Sequence, residues 1–402
     1  MQNKMTEGNV IRALAAFTVP LILSGLFQQL FNWVDAFIVG NIEGETALAG
    51  IGATTSVYNL FVTVITGFAL GLSVLTAQRY GMGEKGKIRE LLSSYTVLFA
   101  LLFTVISAAG AVFTEELLVV LDTPETIFFS AQSYLKILFA GIPFIAVYNT
   151  YSAVLRGIGN SSAPFFSILV CSAVNVVLDL LFVAGMGYGA AGAAAATAIS
   201  QAAMAVYVIV YTVRKYPFLR FSFSGNLPDK TVWKSGAAYG LPSAVQSGVS
   251  SAGNIYLQQF MNGFGEQTVA AITTAYRVDT VIFLPIINFG SGIATVVAQN
   301  IGAGKPERAK QVFHAISRFY MIYGISMAVR GCLEGRGDML FSGIAGILSL
   351  GVRILCSYAF KPVFGNMVVA YAEAFSWIFL LAVLLLRYVV KTRQTFPHFV
   401  KK

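Results

Sequence analysis

The chain has 402 residues, of which 56% are hydrophobic and only 11% are charged. A soluble domain carries about 25% charged residues, so a soluble fold of this length could not bury so much apolar surface. The composition therefore predicts a polytopic membrane protein.

Ten apolar segments of helical length follow one another along the chain. They cover 11–40, 47–77, 91–113, 127–155, 163–186, 190–213, 236–260, 268–299, 340–360 and 367–386. Because each is a continuous apolar run and not an alternation of apolar and polar residues, the pattern favours an all-α fold over a β-barrel. A weaker candidate, Phe313 to Val329, is interrupted by His314 and Arg318. We therefore expect about eleven helices, ten of them fully spanning.

Positive charge is concentrated in alternate connections between these segments. Lysine and arginine occur at 79–89, 214–234 and 305–310, whereas 43–45, 115–125 and 266 carry acidic residues and no basic ones. This is the positive-inside pattern, which predicts a multi-pass protein of the cell (inner) membrane with a cytoplasmic N-terminus. The net charge of +9 then reflects topology and not a nucleic-acid partner.

Neither a metal site nor a nucleotide site is indicated. Cys171, Cys332 and Cys356 are widely scattered, and the two histidines form no cluster. GMGEKGK at 81–87 has the spacing of a phosphate-binding loop, but Ile88 stands where Ser or Thr is needed and no strand precedes it. We expect no enzymatic activity and no cofactor. Because no nucleotide site is indicated, any transport by such a membrane protein would be driven by an ion gradient.

The two halves of the chain repeat each other, which is a common plan of transporters. GFALGLSVLTAQRYGMG at 67–83 matches NFGSGIATVVAQNIGAG at 288–304 at an offset of 221, and LRGIGN at 155–160 matches LEGRGD at 333–338 at an offset of 178. The offsets differ by 43, so the second half lacks about that many residues. The remaining segment, Arg308 to Cys332, corresponds to the cytoplasmic halves of two joined helices.

Asn175 and Asp179 lie four residues apart in an otherwise apolar run, so they share one helix face. The next helix is rich in alanine and carries Thr197, which could approach that face closely. A carboxylate in such surroundings is costly unless it is protonated, paired or functional. Burial disfavours its charged form, which would let it load and release a proton near neutral pH. The pattern indicates a proton or sodium site, and an interhelical hydrogen-bond clamp is the structural alternative.

Three stretches together resemble the multidrug and toxic compound extrusion (MATE) transporters. The first covers 20–52: it begins at Pro20, contains FQQLFNWVDAFIVG (27–40) and ends with ALAGIG (47–52). The second is the AQxxGxG turn that follows both the second and the eighth span, and the third is LRGIGNSSAP (155–164). The resemblance runs from about Met5 to Arg387, except for the missing block. It implies two helical lobes of six helices each around a central V-shaped cavity. It also implies exchange of protons or sodium for organic, often cationic compounds.

The resemblance further implies coupling residues. Asp35 matches the helix-one carboxylate of the amino-lobe ion site of prokaryotic members. Asn175 and Asp179 match its Asn-x-x-x-Asp pair, and Thr197 falls at the helix-six threonine. Taken alone, Asp35 has a structural alternative as an interfacial carboxylate beside Trp33.

Aromatic and amide side chains in the implied cavity would suit amphipathic cations. The candidates are Gln28, Gln29, Asn32, Tyr58 and Tyr148. The expected partners are small organic substrates and the lipid bilayer, with H⁺ or Na⁺ as coupling ion, no nucleotide, and a monomeric chain. For Arg277 and Asp279, pairing with neighbouring helices is favoured.

We expect an amino-terminal lobe of six helices (1–215), a cytoplasmic linker (216–235), a carboxy-terminal lobe of five helices (236–390) and a basic cytoplasmic tail (391–402).

If 313–329 crossed the membrane, at least six positive charges downstream would lie on the wrong side. We therefore expect a tilted helix there and a cytoplasmic C-terminus. The shortened lobe leaves two alternatives to a coupled multidrug antiporter. They are a lipid-linked saccharide flippase of the same superfamily and a transport-inactive remnant.

Overall fold

The computed structural model describes residues 5–121, 123–221, 230–264, 266–316 and 322–395, and within these ranges all regular secondary structure is helical, without strands. The all-α prediction is confirmed. The first half contains α1 (Val10–Ile42), α2 (Gly44–Gly81), α3 (Lys85–Val112), α4 (Thr114–Val120), α5 (Glu125–Phe139), α6 (Ile142–Gly157), α7 (Ser162–Asp179) and α8 (Gly189–Lys215). The second half contains α9 (Lys230–Asn262), α10 (Glu266–Gly302), α11 (Pro306–Ile316), α12 (Ile322–Gly335), α13 (Met339–Phe364) and α14 (Val368–Thr395).

All ten predicted apolar segments coincide with helices. Of the helices in the described residues, eight are long and apolar enough to cross a membrane, or nine if the bent pair α5–α6 forms one span. The serine-rich helix α9 is not among them, although it has 33 residues. The described part holds fourteen α-helices and not the expected eleven or so. The additional ones come from α4, from the break between α5 and α6, and from the separate helices α11 and α12.

The segment predicted as one helix over 127–155 is bent by 42° between α5 and α6. Pro143 lies in the first turn of α6, and a proline has no N–H with which to continue the hydrogen-bond ladder of the preceding helix. Gly141 directly precedes α6 and packs so closely on Gln201 of α8 that a side chain there would collide with it. The bend therefore follows from local sequence and brings α8 against the break.

The region between α10 and α13 is the shortened part of the second half. It contains α11 and α12, where the first half has the four helices α3 to α6 between α2 and α7. Residues 317–321 lie outside the described residues. The prediction of one continuous tilted helix over 313–329 therefore stays a prediction.

The two halves meet where α2 and α10 cross at their C-terminal ends. A Cβ atom on Gly81 would collide with the backbone of Gln299 and Ala303, and one on Gly302 would collide with the backbone of Gln78. Gly81 and Gly302 are equivalent in the repeat, so the crossing is reciprocal and only glycine permits it at both places. Because the basic connections follow these helix ends, we call this end of the molecule the basic face.

A second reciprocal contact lies further from the basic face. Gly25 of α1 packs on Asn288 of α10, and Gly67 of α2 packs on Ser247 of α9. These pairs are also equivalent in the repeat. These contacts join the lobes from the basic face up to this level, and the expected central cleft would lie beyond it.

Candidate functional site

The carboxyl groups of Asp35 and Asp179 lie within hydrogen-bonding reach of each other. Asp35 is on α1, and Asp179 is the last residue of α7, directly before a π-helical segment, Leu180–Gly185. Segments of this kind widen a helix locally and are frequent at functional sites. The packing of α1 on α7 thus joins two carboxyl groups that are far apart in the sequence.

Several oxygen atoms of this group have no hydrogen-bond donor. Asp35 Oδ1, both carboxyl oxygens of Asp179 and Asn175 Oδ1 are buried and receive no hydrogen bond from any described residue. Asp179 and Asn175 are fully buried. Two ionised carboxylates side by side in such surroundings would repel each other and leave acceptors unsatisfied. A shared proton or a bound cation would satisfy both requirements.

Thr197 completes the predicted group. Asn175 Nδ2 lies 3.4 Å from Thr197 Oγ1 and donates to it. The approach is possible because α8 presents small side chains to its neighbours, including the buried Ala193 and Ala194. The structure brings all four predicted residues together, whereas their role in ion coupling stays a prediction.

Tyr134 lies near the carboxyl pair, and Tyr58 packs against the same apolar cluster as Tyr134. Tyr58 of α2 accepts a hydrogen bond of 2.6 Å from Gln201 Nε2. Tyr134 of α5 is buried and interacts electrostatically with Asp35, Asp179 and Tyr58. Sequence reasoning did not select Tyr134, because nothing in the local pattern of α5 separates it from a core aromatic residue. Only the packing of α5 on α2 and α8 reveals its position.

Of the predicted cavity residues, Tyr58 is partly buried against Gln201, and the other four separate into two groups. Gln28 and Asn32 are exposed on α1, on the same helix face as Gly25 and one to two turns further from the basic face, and Gln29 is partly exposed beside them. They therefore face the cleft where the lobes diverge. Tyr148 instead lies in an apolar core, 5% exposed, with its hydroxyl group donating to the Pro164 carbonyl at 3.4 Å.

The carboxy-terminal lobe has a different arrangement. Leu257 occupies the position equivalent to Asp35. Arg353 of α13 and Glu373 of α14 form an ion pair of 3.0 Å. The side chains of Arg277 and Asp279 lie outside the described part of the structure, so their expected pairing with neighbouring helices stays a prediction.

Comparison with known proteins agrees with this architecture. The MatE family model matches residues 20–181 and 242–318, which include Asp35 and Asp179. The probable multidrug resistance protein YpnP of Bacillus subtilis is 30% identical over 306 residues, which cover 75% of this chain and 68% of that protein. The multidrug export protein MepA of Staphylococcus saprophyticus is 22% identical over 351 residues, covering 87% of this chain and 77% of that protein.

A solved structure shows the same fold. The crystal structure of MATE in the bent conformation superimposes with a TM-score of 0.90 at 20% identity, covering 97% of each chain. The family match extends over more than half of this chain and spans both repeats. The chain therefore belongs to the MATE family of multidrug efflux transporters.

Proposed function

We propose that the chain is a cation-coupled antiporter that exports organic, cationic amphipathic compounds across the cell membrane in exchange for H⁺ or Na⁺. The observation that carries this proposal is the contact between Asp35 and Asp179, with its buried acceptor oxygens that no described residue satisfies. The multidrug export activity named for the relatives supports the substrate class.

Helix α1 connects the cation site to the cleft. Asp35 lies three residues from Asn32 and seven from Gln28, so the three side chains follow one face of α1 over two turns. A cation that neutralises the carboxyl pair draws α1 towards α7, and its release allows α1 to move away. Because α1 also carries cleft residues, the two states of the pair correspond to two shapes of the cleft. Such a coupling needs only that the cation binds more tightly to one of these two arrangements of α1 and the substrate to the other.

The cleft side of α1 suits an amphipathic cation. Amide oxygens of Gln28 and Asn32 accept hydrogen bonds from ammonium groups. Trp33, the neighbour of Asn32 in the sequence, is also exposed, and an aromatic face attracts an organic cation by about 0.5–2 kcal/mol. This part of α1 therefore offers amide and indole groups to a cation.

The test is Asp179→Asn in proteoliposomes loaded with a fluorescent cation, under an imposed proton gradient or an imposed sodium gradient. The wild type should export the dye under one of the two gradients, which identifies the coupling ion. The asparagine variant keeps the shape but cannot bind the cation as a carboxylate does, so gradient-driven export should fall at least about tenfold.

Glu116→Gln is the matched control, because it makes the same chemical change at an exposed position on α4. It should transport like the wild type. Undiminished gradient-driven export by Asp179→Asn would refute the coupling role. Absence of export by the wild type under both gradients would favour the transport-inactive alternative.

A further inference from the structure

A groove of about 700 Å³ runs along one face of helix α8. Its lining residues recur every three or four positions, as a single helix face requires, and they are Ala203, Val206, Tyr207, Val210, Tyr211, Arg214 and Lys215. Helix α8 packs on α5, α6 and α7 with its other faces. Val206 and Val210 are 58% and 41% exposed, so no other described helix covers the groove. In a bilayer this face meets lipid.

The groove has an apolar part and a positively charged end. Alanine and valine side chains line the apolar part, and Arg214 and Lys215, both exposed, form the charged end. No acidic residue lines the groove. Neither Arg214 nor Lys215 forms an ion pair with a described acidic residue. The two positive charges are therefore available to a negatively charged ligand.

The charged end of the groove lies at the basic face of the molecule. Asn160, which follows α6, donates from Nδ2 to the hydroxyl group of Tyr211 at 3.0 Å and to that of Tyr216 at 2.9 Å. The end of α6 lies at this face, because Gln299 binds the Gly157 carbonyl there. The end of α8 is thus fixed beside the end of α6.

The length of the groove matches one leaflet of a bilayer. At about 1.5 Å per residue, α8 rises by about 18 Å from Ala203 to Lys215. Half of the hydrocarbon core of a bilayer is about 15 Å thick. The apolar part therefore lies beside acyl chains, and Arg214 and Lys215 lie at the level of the lipid headgroups.

Two tyrosines stand between the apolar part and the charged end. The rings of Tyr207 and Tyr211 stack, with 6.3 Å between their centres and 21° between their planes. Lys215 Nζ lies 5.2 Å from the centre of the Tyr211 ring, which attracts the ammonium group. Because Asn160 binds the Tyr211 hydroxyl group, this ring and the lysine over it are held in place. A group that is already ordered loses less conformational entropy when it binds a ligand.

The equivalent face of α14 lacks these features. At the offset of 178, Ala203 corresponds to Leu381, Tyr207 to Leu385 and Tyr211 to Val389. Val389 is 46% exposed, so that face also meets lipid. Contact with lipid alone therefore requires neither the small residue nor the aromatic pair of α8. The helix dipole favours basic residues in the last turn of any helix, but it does not account for the groove.

We propose that the groove binds one anionic phospholipid of the leaflet at the basic face. The phosphate group lies against Arg214 and Lys215, because basic clusters at headgroup level attract anionic lipids and a guanidinium group binds phosphate oxygens in a fork. One acyl chain lies along Val206 and Val210 and reaches the space above Ala203. A zwitterionic headgroup fits less well, since its ammonium group is repelled by the same two side chains.

The experiment measures lipid retention by native mass spectrometry of the purified full-length protein in detergent. Phosphatidylglycerol and phosphatidylcholine with the same acyl chains are the two probes. The wild type should retain one phosphatidylglycerol molecule at a concentration at which it retains no phosphatidylcholine. Arg214→Gln combined with Lys215→Gln should weaken this retention at least about tenfold, because each basic residue near a lipid headgroup contributes about fivefold.

Lys230→Gln combined with Lys234→Gln is the matched control. It removes two exposed positive charges at the start of α9, which do not line the groove, and should retain phosphatidylglycerol like the wild type. All variants change exposed or partly exposed positions. Their thermal unfolding without added lipid should therefore equal that of the wild type, which excludes misfolding as the cause of any loss.

Ala203→Leu tests the apolar part of the groove separately. It introduces the residue that α14 has at the equivalent position and leaves both positive charges in place. Retention of phosphatidylglycerol should weaken at least about threefold, because the acyl chain loses its packing contacts with α8.

Each outcome decides one part of the proposal. Equal retention of phosphatidylglycerol by the wild type and by the Arg214→Gln/Lys215→Gln variant would overturn the site. Equal retention of both lipids by the wild type would overturn the preference for an anionic headgroup. Unchanged retention by Ala203→Leu would overturn the groove as the place of the acyl chain. Displacement of the lipid by inorganic phosphate would identify a site for free phosphate instead. No readout involves export, so the result is independent of the proposed function.

Discussion

Gln78 and Gln299 hold the two lobes together in a reciprocal manner at the basic face. Gln78 Nε2 donates to the Gly335 carbonyl at 2.9 Å, and Gln299 Nε2 donates to the Gly157 carbonyl at 2.7 Å. The glutamines are equivalent in the repeat, and so are the glycines at which α6 and α12 end. Each glutamine thus binds the exposed carbonyl end of a helix in the opposite lobe. Gln78 Oε1 also accepts from the hydroxyl group of Tyr239 at 2.7 Å.

These two hydrogen bonds should stabilise the state in which the basic face is closed. We expect Gln78→Ala and Gln299→Ala each to weaken closure by about 0.5–1.5 kcal/mol, and the double variant by about the sum, because the bonds are separate. Spin labels at Met82 and Lys305, which are both exposed, would report the distance across the face. The population at long distance should increase from single to double variant.

Gln132→Ala serves as control for this prediction. Gln132 donates to Glu115 within one lobe, at an exposed position. Its removal should leave the distance distribution unchanged. Identical distributions for the wild type and the Gln78→Ala/Gln299→Ala variant would show that the glutamines do not hold the face closed.

The carboxyl pair should behave as one unit. Asp35→Asn is expected to reduce gradient-driven export at least about tenfold, and combination with Asp179→Asn should add little, because either change alone removes the shared cation. Export rates of the two single variants and the double variant under the coupling gradient provide the measurement. Losses that multiply in the double variant would mean that the two carboxyl groups act separately.

The sequence predicted the parts of this site that local chemistry marks. Asp179 stands out because a carboxylate in an apolar run is costly, and Asn175 shares its helix face. Tyr134 could not be predicted in the same way. Its surroundings depend on packing between helices distant in the sequence, and a tyrosine within a helix has many ordinary roles.

The helix boundaries show a similar division. The apolar segments located the long helices, since span length is fixed by the bilayer. The bend before Pro143 was missed, because a proline within an apolar run is compatible with either a continuous span or a break. The reciprocal contacts of Gln78 and Gln299 follow from the repeat only once the lobes are seen to meet at that level.

An ion pair at the start of α13 should give a pH-dependent contribution to stability. Arg387 Nε lies 2.8 Å from Asp338 Oδ2, and Lys391 lies 3.4 Å from the same oxygen. Burial alone would raise the pKa of the Asp338 carboxyl, but the hydrogen bonds and charges of Arg387 and Lys391 outweigh it and hold the pKa below its usual value. The contribution is therefore complete above the usual aspartate pKa of about 3.9 and is lost as the pH falls through the lower folded-state pKa.

Asp338→Asn should accordingly lower stability by about 1 kcal/mol at pH about 7, a modest value because Arg387 is partly exposed. The difference in stability between the variant and the wild type should become smaller towards pH about 3. Thermal unfolding of the detergent-solubilised proteins at both pH values would measure it. Arg387→Gln should give a similar gap with the same pH dependence. A gap that is the same at both pH values would exclude the ion pair as its source.

Both ends of the chain should lie on the same side of the membrane. Arg308 Nη1 donates to the Gly8 carbonyl at 2.7 Å, which places the start of α1 at the basic face. The end of α14 reaches the same face, because Lys391 contacts Asp338, three residues after the Gly335 carbonyl that binds Gln78. The positive-inside rule predicts that this face is cytoplasmic. The contacts place both helix ends at one face, and the side of the membrane on which that face lies stays a prediction.

A cysteine at Lys401 should therefore be protected from an impermeant maleimide in intact cells and react after permeabilisation. Cys356 is replaced by alanine for this purpose, whereas Cys171 and Cys332 are buried. Glu116→Cys provides the opposite control, since α4 follows α3 on the acidic side of the molecule and should be labelled in intact cells. Labelling of Lys401→Cys in intact cells, at the rate of Glu116→Cys, would mean that the shortened region crosses the membrane. The last two helices would then be inverted, against the charge distribution and against the hydrogen bond from Gln78 to the Gly335 carbonyl just before α13.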